Sequence, residues 1–396
     1  TLFFTSLFSE NYPKKKLFNK TNSVAKTLGR EDRKYGDHSG NRVLCRFYNF
    51  GSIGDQSSSF SGVYPIGSGH SYIWEFSPII AASVLDTNGN RKHIVSDGIS
   101  GLADLSPDGT PWTFEPLSGY ANPNQEKLAM SDNEASWPDS WPNKTSDWDG
   151  QWNGQYGKYV RADQESYFVS DDYYNSEFFY WPDQNDVPLS DLESADDHRR
   201  GLGIKMETRG YQWNHPAAED IIIVTYWITN VGTSVLDSVV FGMYGDADIG
   251  GASSYSDDDA WFDTENDMVF QWDHDEWSNS YGGFRPAYFG WSFLESPGNP
   301  NDSIDNDEDG MIDESQFDGI DNDGDWDPER DDIGADGLAP FHINYIGPDE
   351  DGTEGNGIPD VGEPNFEITD NDESDQIGLS SFYSAPYPSV NPDDDE

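Results

Sequence analysis

The chain has 396 residues, of which 75 are acidic and 22 basic, for a formal charge of −53. Such a surface repels phosphate backbones and anionic lipid, because nucleic-acid affinity comes largely from Lys and Arg displacing counterions; the expected partners include no nucleic acid. One cysteine, Cys45, excludes an internal disulfide framework, while 14% aromatic residues can build a core despite a hydrophobic fraction of 34%.

The charge is also unevenly placed. Residues 1–50 hold ten basic and four acidic side chains, whereas residues 301–396 hold 31 acidic side chains and only Arg330 as a basic one. Evenly spread charge would serve solubility equally well, so the separation reads as a device for contact.

In chain order, Leu2 to Phe8 is apolar but far too short to span a bilayer, and reads as a strand or the remnant of a signal h-region. With no initiator Met the chain reads as processed or partial. Residues 1–40 together are expected to form a basic extended N-terminal arm. From Arg42 the pattern changes: 43–48 and 71–76 are strand-like, and 79–85 joins 93–95 across Asn88-Gly89, a strong hairpin signal. Long helices are not expected; 125–130 has the composition for one or two helical turns.

Residues 137–156 alternate indoles with Asn, Asp, Gly and Gln. Exposed, Trp137, Trp141, Trp148 and Trp152 would make a stacking platform for glycans; buried, they would pin a long loop, each N–H finding a partner. The loop's length favours the second reading, since a long loop in a compact fold needs internal packing.

Residues 221–228 are β-branched and aromatic, 230–233 read as a turn, and 236–244 as the returning strand of a hairpin. Asp246 and Asp248 follow at its end, then Asp257, Asp258, Asp259 and Asp263, a set that is either a metal site at a strand end or a solvated acidic loop. Residues 268–272 and 288–293 add strands.

The stretch 301–375 repeats one chemical idea. Asp305, Asp307, Asp309 and Asp313 occupy the first, third, fifth and ninth positions of a tight loop with Gly310 at the turn, which are ligand positions of a calcium loop. Ca²⁺ takes roughly 6–8 oxygens at about 2.3–2.6 Å, so such a loop must turn sharply and aim several oxygens inward. A second copy supplies Asp321, Asp323, Asp325, Asp327, Glu329 and Asp332, with Trp326 where the glycine would stand. Asp349, Asp351 and Asp360 form a looser third, and Asp370 and Asp372 a looser one still. The alternative, a disordered acidic block, fits less well because the carboxylates are spaced and apolar residues such as Ile312, Ile333 and Ile358 recur between them. Residues 377–383 are again strand-like.

DNDEDGMIDE and DGIDNDGDWD resemble the thrombospondin type 3 and dockerin-like calcium repeats of secreted proteins, over about a fifth of the chain. ITNVG with LDSVVFGMYGD resembles hairpins of β-sandwich modules in bacterial surface proteins. The resemblance implies a mostly β chain with an antiparallel β-sandwich body over 41–300, an inserted loop-rich calcium-binding segment over 301–376 and a returning strand with an acidic end over 377–396. It implies several Ca²⁺ ions and an extracellular or cell-surface place, where millimolar Ca²⁺ fills sites with dissociation constants of roughly 10⁻⁴ to 10⁻³ M.

HExxH, GxSxG, GxxxxGK[ST] and the dinucleotide glycine fingerprint do not occur, and the chain is expected not to be an enzyme. The function expected is that of a structural subunit of a filament, tube or layer, or an adhesin, with a second copy or another cell-surface protein as partner; the alternative is a glycan-binding or glycan-cleaving module. For assembly, the basic arm of one subunit would reach the acidic face of the next, and Leu2 to Phe8 would add a strand to an open sheet edge. The rival path folds the arm back on its own surface.

Overall fold

Short β-branched and aromatic runs bounded by Gly, Asn and Pro form strands along the chain, and the protein is mostly β with almost no helix. A computed structural model describes residues 2–8, 32–54, 60–85, 89–100, 112–175, 177–178, 201–232, 235–251, 254, 257–263, 268–297, 311–312, 321, 324, 326–349, 352–360, 362–366 and 374–375. The strands are β1 (Leu2–Phe8), β2 (Tyr35–His38), β3 (Cys45–Tyr48), β4 (Ile73–Leu85), β5 (Arg91–Asp97), β6 (Glu115–Pro116), β7 (Ala129–Met130), β8 (Gln164–Asp171), β9 (Ile204–Gln212), β10 (Ile221–Asn230), β11 (Asp237–Ala247), β12 (Asp258–Asp263), β13 (Met268–Asp273), β14 (Phe289–Pro297) and β15 (Ser374–Asp375). Residues 1–294 and 381–396 belong to one unit and residues 295–380 to another.

In the first unit the larger sheet runs β12-β13-β14-β1-β10-β9-β8-β6, with β7 also paired to β8; a second sheet runs β11-β4-β5, and β2 pairs with β3. The period-two pattern of β10 explains its place: Ile222, Val224 and Tyr226 are fully buried. Tyr226 meets Phe241 of β11 at a ring separation of 5.5 Å, and Phe47, Ile80, Ile94, Ile204 and Met206 join the same core. Each such side chain contributes roughly 1.5–3 kcal/mol relative to leaving it in water.

Several expectations are corrected. Residues 221–248 do not form a hairpin: β10 pairs with β9 and β1, and β11 pairs with β4, Phe241 opposite Ile80. The connection between them is longer than a tight turn, so it carries the chain from one sheet to the other. The strands expected over 71–76 and 79–85 are one strand, β4, running through Pro78, whose carbonyl accepts the Gly98 N–H. The β4–β5 pair does form, Leu85 opposite Arg91. Residues 125–130 form no helical turn: they end in β7, where Ala129 and Met130 pair with Tyr167 and Ser166 of β8.

The expected arm is also partly sheet. Tyr35–His38 pairs antiparallel with β3, where Asp37 takes salt bridges of 2.6 Å from both Arg46 and Lys127. Leu2–Phe8 lies between β10 and β14 of its own chain, not on a sheet edge, and runs parallel to β10. Strands β8 and β9 were not expected; all eight residues of β8 are buried, and their polar side chains hide the pattern. The strand expected over 377–383 lies outside the described residues.

Candidate metal centre

At the end of β11 the chain turns through Asp248, Ile249, Gly250 and Gly251. The two glycines have φ of 83° and 82°, and a Cβ on Gly250 would lie 2.7 Å from the Ser278 Cβ, so glycine is required where the turn packs against the Ser278 loop. Strand β12 follows and pairs with β13 so that Asp258 stands opposite Asp273, and the Asp257 carbonyl accepts the His274 N–H at 3.1 Å. Asp257, Asp258, Asp273 and Asp275 therefore collect at the open end of the β12–β13 pair. Asp263 stands opposite Met268 at the other end, roughly 17 Å along the strand, and is no part of the group.

Carboxylate oxygens of Asp257, Asp273 and Asp275 all lie within 4.8 Å of one another. Two oxygens each about 2.4 Å from one ion are at most about 4.8 Å apart, so this spacing suits a hard cation of the Ca²⁺ kind. Asp273 is 2% exposed and is fixed by the Ser254 hydroxyl, 2.5 Å from its Oδ2, and by the Trp277 N–H, 2.8 Å from its Oδ1. Each carboxylate oxygen has a second lone pair for a metal. Asp257 and Asp275 are exposed, giving a site closed on one side and open on the other.

The electrostatics are those of crowded, partly buried carboxylates. Burial pushes Asp258 up to about 8, opposed by the Ile249 N–H on its Oδ2 and reinforced by Asp273, Asp248 and Asp257. Its other oxygen, Oδ1, is buried with no hydrogen-bond donor among the described residues. Burial pushes Asp248 up to about 6, and Asp246 likewise, with Asp248 adding to the latter and the Tyr244 hydroxyl opposing. Asp257 is raised by burial and by Asp273 and Asp275. Such a group is neutralised by protons at low pH or by a divalent cation at higher pH.

Asp248 adds to the repulsion on Asp258 but is not one of the three carboxylates brought together, and Asp246 sits one step back on β11, opposite the buried Glu75. Asp273 and Asp275 were missed from sequence, although Asp273-His274-Asp275 shows the same alternate-carboxylate spacing as the acidic loops.

In the second unit the described carboxylates act as acceptors that hold turns. Asp332 takes the N–H groups of Gly355 and Gly357 at 2.6 and 2.7 Å, and that of Asn356 at 3.2 Å. Glu363 takes the Trp326 indole N–H at 3.0 Å and the Gly334 N–H at 2.9 Å. Asp321 accepts Gly324 N–H, Asp327 accepts Glu329 N–H, Asp349 accepts the Thr353 hydroxyl, and Asp360 accepts the Asn356 amide. Among the described residues, the Asp257 group alone brings three such ligands together. Asp305, Asp307, Asp309, Asp313, Asp323, Asp325, Asp351, Asp370 and Asp372 lie outside the described residues.

The tryptophans of 137–152 build a small second core. Trp141 and Trp152 are 3% and 2% exposed, packed with Tyr120, Tyr167 and Val169, so neither offers a face to a sugar ring. Their N–H groups donate to the Gln151 carbonyl and to Glu165, and that of Trp137 to the Met130 carbonyl. Trp148 is half-buried beneath Lys144 and Lys158. A cavity of about 460 Å³ nearby is lined by Tyr120, Leu128, Asp139 and Phe168 among others, and by none of the four indoles.

No protein-family model, curated protein or solved structure matches the chain.

Proposed function

We propose that this chain is a secreted, calcium-stabilised structural protein with a β-sandwich body, a subunit of an extracellular assembly. The observation that carries the reading is the triad of Asp257, Asp273 and Asp275, with oxygens within 4.8 Å of one another beside the half-buried Asp258. Ionised oxygens at that distance sit inside the roughly 8 Å Debye length of physiological salt, so monovalent ions screen them poorly and a bound divalent ion relieves them. The 31 acidic side chains of residues 301–396 extend the same demand, and the spaced carboxylates there supply further Ca²⁺ ligands. The sandwich rests on the Tyr226–Phe241 contact between strands of different sheets. A structural rather than catalytic role is favoured because buried polar side chains of β8 hold the fold, Gln164 through the Ser39 and Gly40 N–H groups and Glu165 through those of Arg161 and Ala162.

Thermal unfolding in EDTA and in millimolar Ca²⁺ tests the metal part. A site with a dissociation constant near 10⁻⁴ M contributes about 2 kcal/mol at about 2 mM Ca²⁺. The melting temperature should rise by several degrees, saturably, with Asp273→Asn removing one increment. An unchanged melting curve would overturn the calcium reading, and particles that stay monomeric at every concentration would overturn the assembly.

A further inference from the structure

The strand β1 occupies an unusual place. It lies between β10 and β14, so it is an interior strand, and it runs parallel to β10 with Leu2 to Phe8 opposite Ile221 to Trp227 in unbroken register. The ladders around it are antiparallel: β8 with β9, β9 with β10, β12 with β13, and β13 with β14. A strand reached by no hairpin, set among strands more than two hundred positions away in sequence, is held by its ladder hydrogen bonds and one covalent tether, residues 9–31. Past the tether the chain is anchored at once, because Arg33 forms a two-pronged pair with Glu115, 2.9 Å from Nε and 2.8 Å from the terminal nitrogen, over the Phe50 ring.

We propose that the slot between β10 and β14 is an intersubunit site, filled in the assembly by the Leu2–Phe8 strand of a second copy of this chain. The inference rests on the reading of the protein as an assembling subunit, and it names the connector. The occupant's chemistry is set by what already sits there: an extended segment that pairs in parallel with Ile221–Trp227. Own strand and neighbour's strand make the same ladder, so exchange loses no contact, the usual condition for swapping between identical chains. Reach is sufficient. The tether spans at most about 75 Å at roughly 3.3 Å per residue, while a compact unit of about 300 residues is about 50 Å across. Charge is compatible with the exchanged form, because the tether carries Lys14, Lys15, Lys16, Lys20, Lys26 and Arg30, and the acidic residues 301–396 are present on a neighbour as on the same chain. Because each copy donates one strand and accepts one, the exchange closes as a reciprocal pair when two copies trade strands and propagates head-to-tail when each strand passes to a further copy.

The test uses register partners. Ser6 stands opposite Thr225, and adjacent strands hold such positions about 5 Å apart, within disulfide reach. Cys45 does not compete, since burial raises its thiol to about 12. Full-length Ser6→Cys and Thr225→Cys variants are refolded together at high concentration with Ca²⁺ and then oxidised. Strand exchange predicts disulfide-linked heterodimers, and the double variant yields covalent ladders on non-reducing gels. A double variant that closes only within single chains, with no crosslink in the mixture, overturns the exchange. If native particles still form in that case, the assembly reading stands and its connector lies elsewhere; if none form, both fail. A double variant that does not crosslink at all removes β1 from the slot and overturns the proposal directly.

Discussion

Asp258 and Asp273 face each other as register partners across β12 and β13, where pairing normally sets unlike charges opposite one another. Asp273 is buried and anchored by two donors, whereas Asp258 is bonded through one oxygen and keeps the other buried without a donor. A proton or a cation that neutralises part of the charge relieves the repulsion between the two.

That relationship has a sign. The Asp258 carboxyl is raised to about 8 in the folded chain against 3.8 for the free side chain. Its favourable contribution is full below pH 3.8 and is lost as pH rises through 8 in metal-free protein. Asp258→Asn keeps an oxygen for the Ile249 N–H and removes the charge. In EDTA at pH about 9 the variant should be more stable than the parent by about 2–4 kcal/mol. In saturating Ca²⁺ the order should narrow or reverse. Urea unfolding at two pH values, with and without Ca²⁺, reads both effects.

His38 predicts the acid limb. It is fully buried beside Ser166, and burial lowers it to about 3, with Asp37 and Gln212 opposing. A group whose folded pKa lies below its unfolded one adds stability that is complete above pH 6.5 and is lost as pH falls from there towards 3. The loss should reach about 4 kcal/mol in this window. His38→Gln should be less stable at neutral pH but flatter between pH 6.5 and 3, and the slope of stability against pH measures this.

The indoles separate packing from recognition. Trp152→Ala should cost about 3–5 kcal/mol, because it empties a buried ring site and strands the Glu165 oxygen that accepts its N–H. Trp148→Ala, half-buried beneath two lysines, should cost about 1 kcal/mol. Equilibrium unfolding of both variants checks the order, and equal losses would show that the loop is not pinned by the buried rings.

In the second unit, Asp332→Ala removes the acceptor for three consecutive N–H groups, Gly355, Asn356 and Gly357. Hydrogen exchange at those amides should speed up at least tenfold, since each lost bond to a charged acceptor is worth about 1.5–3 kcal/mol. Exchange in the β9–β10 ladder should stay as it was.

The strand content of this protein was legible in its sequence because β-branched and aromatic runs such as 221–228 have few other ways to bury alternate side chains. Of the acidic loops expected over 301–375, the described carboxylates such as Asp332 and Glu363 hold turns by accepting N–H groups. What no local pattern could decide was partnership. Residues 221–244 look like a hairpin, yet β10 and β11 lie in different sheets, because pairing is chosen by the sum of distant contacts such as Phe241 on Ile80. Strand β8 escaped notice because Gln164 and Glu165 are polar in sequence and buried in structure, satisfied by the Gly40, Arg161 and Ala162 N–H groups. The carboxylate group of Asp257, Asp273 and Asp275 shows the same division. Its residue types could be read one by one, but only the β12–β13 register brings Asp257, Asp273 and Asp275 to one point, since a shared ion depends on distance in space and not on spacing along the chain.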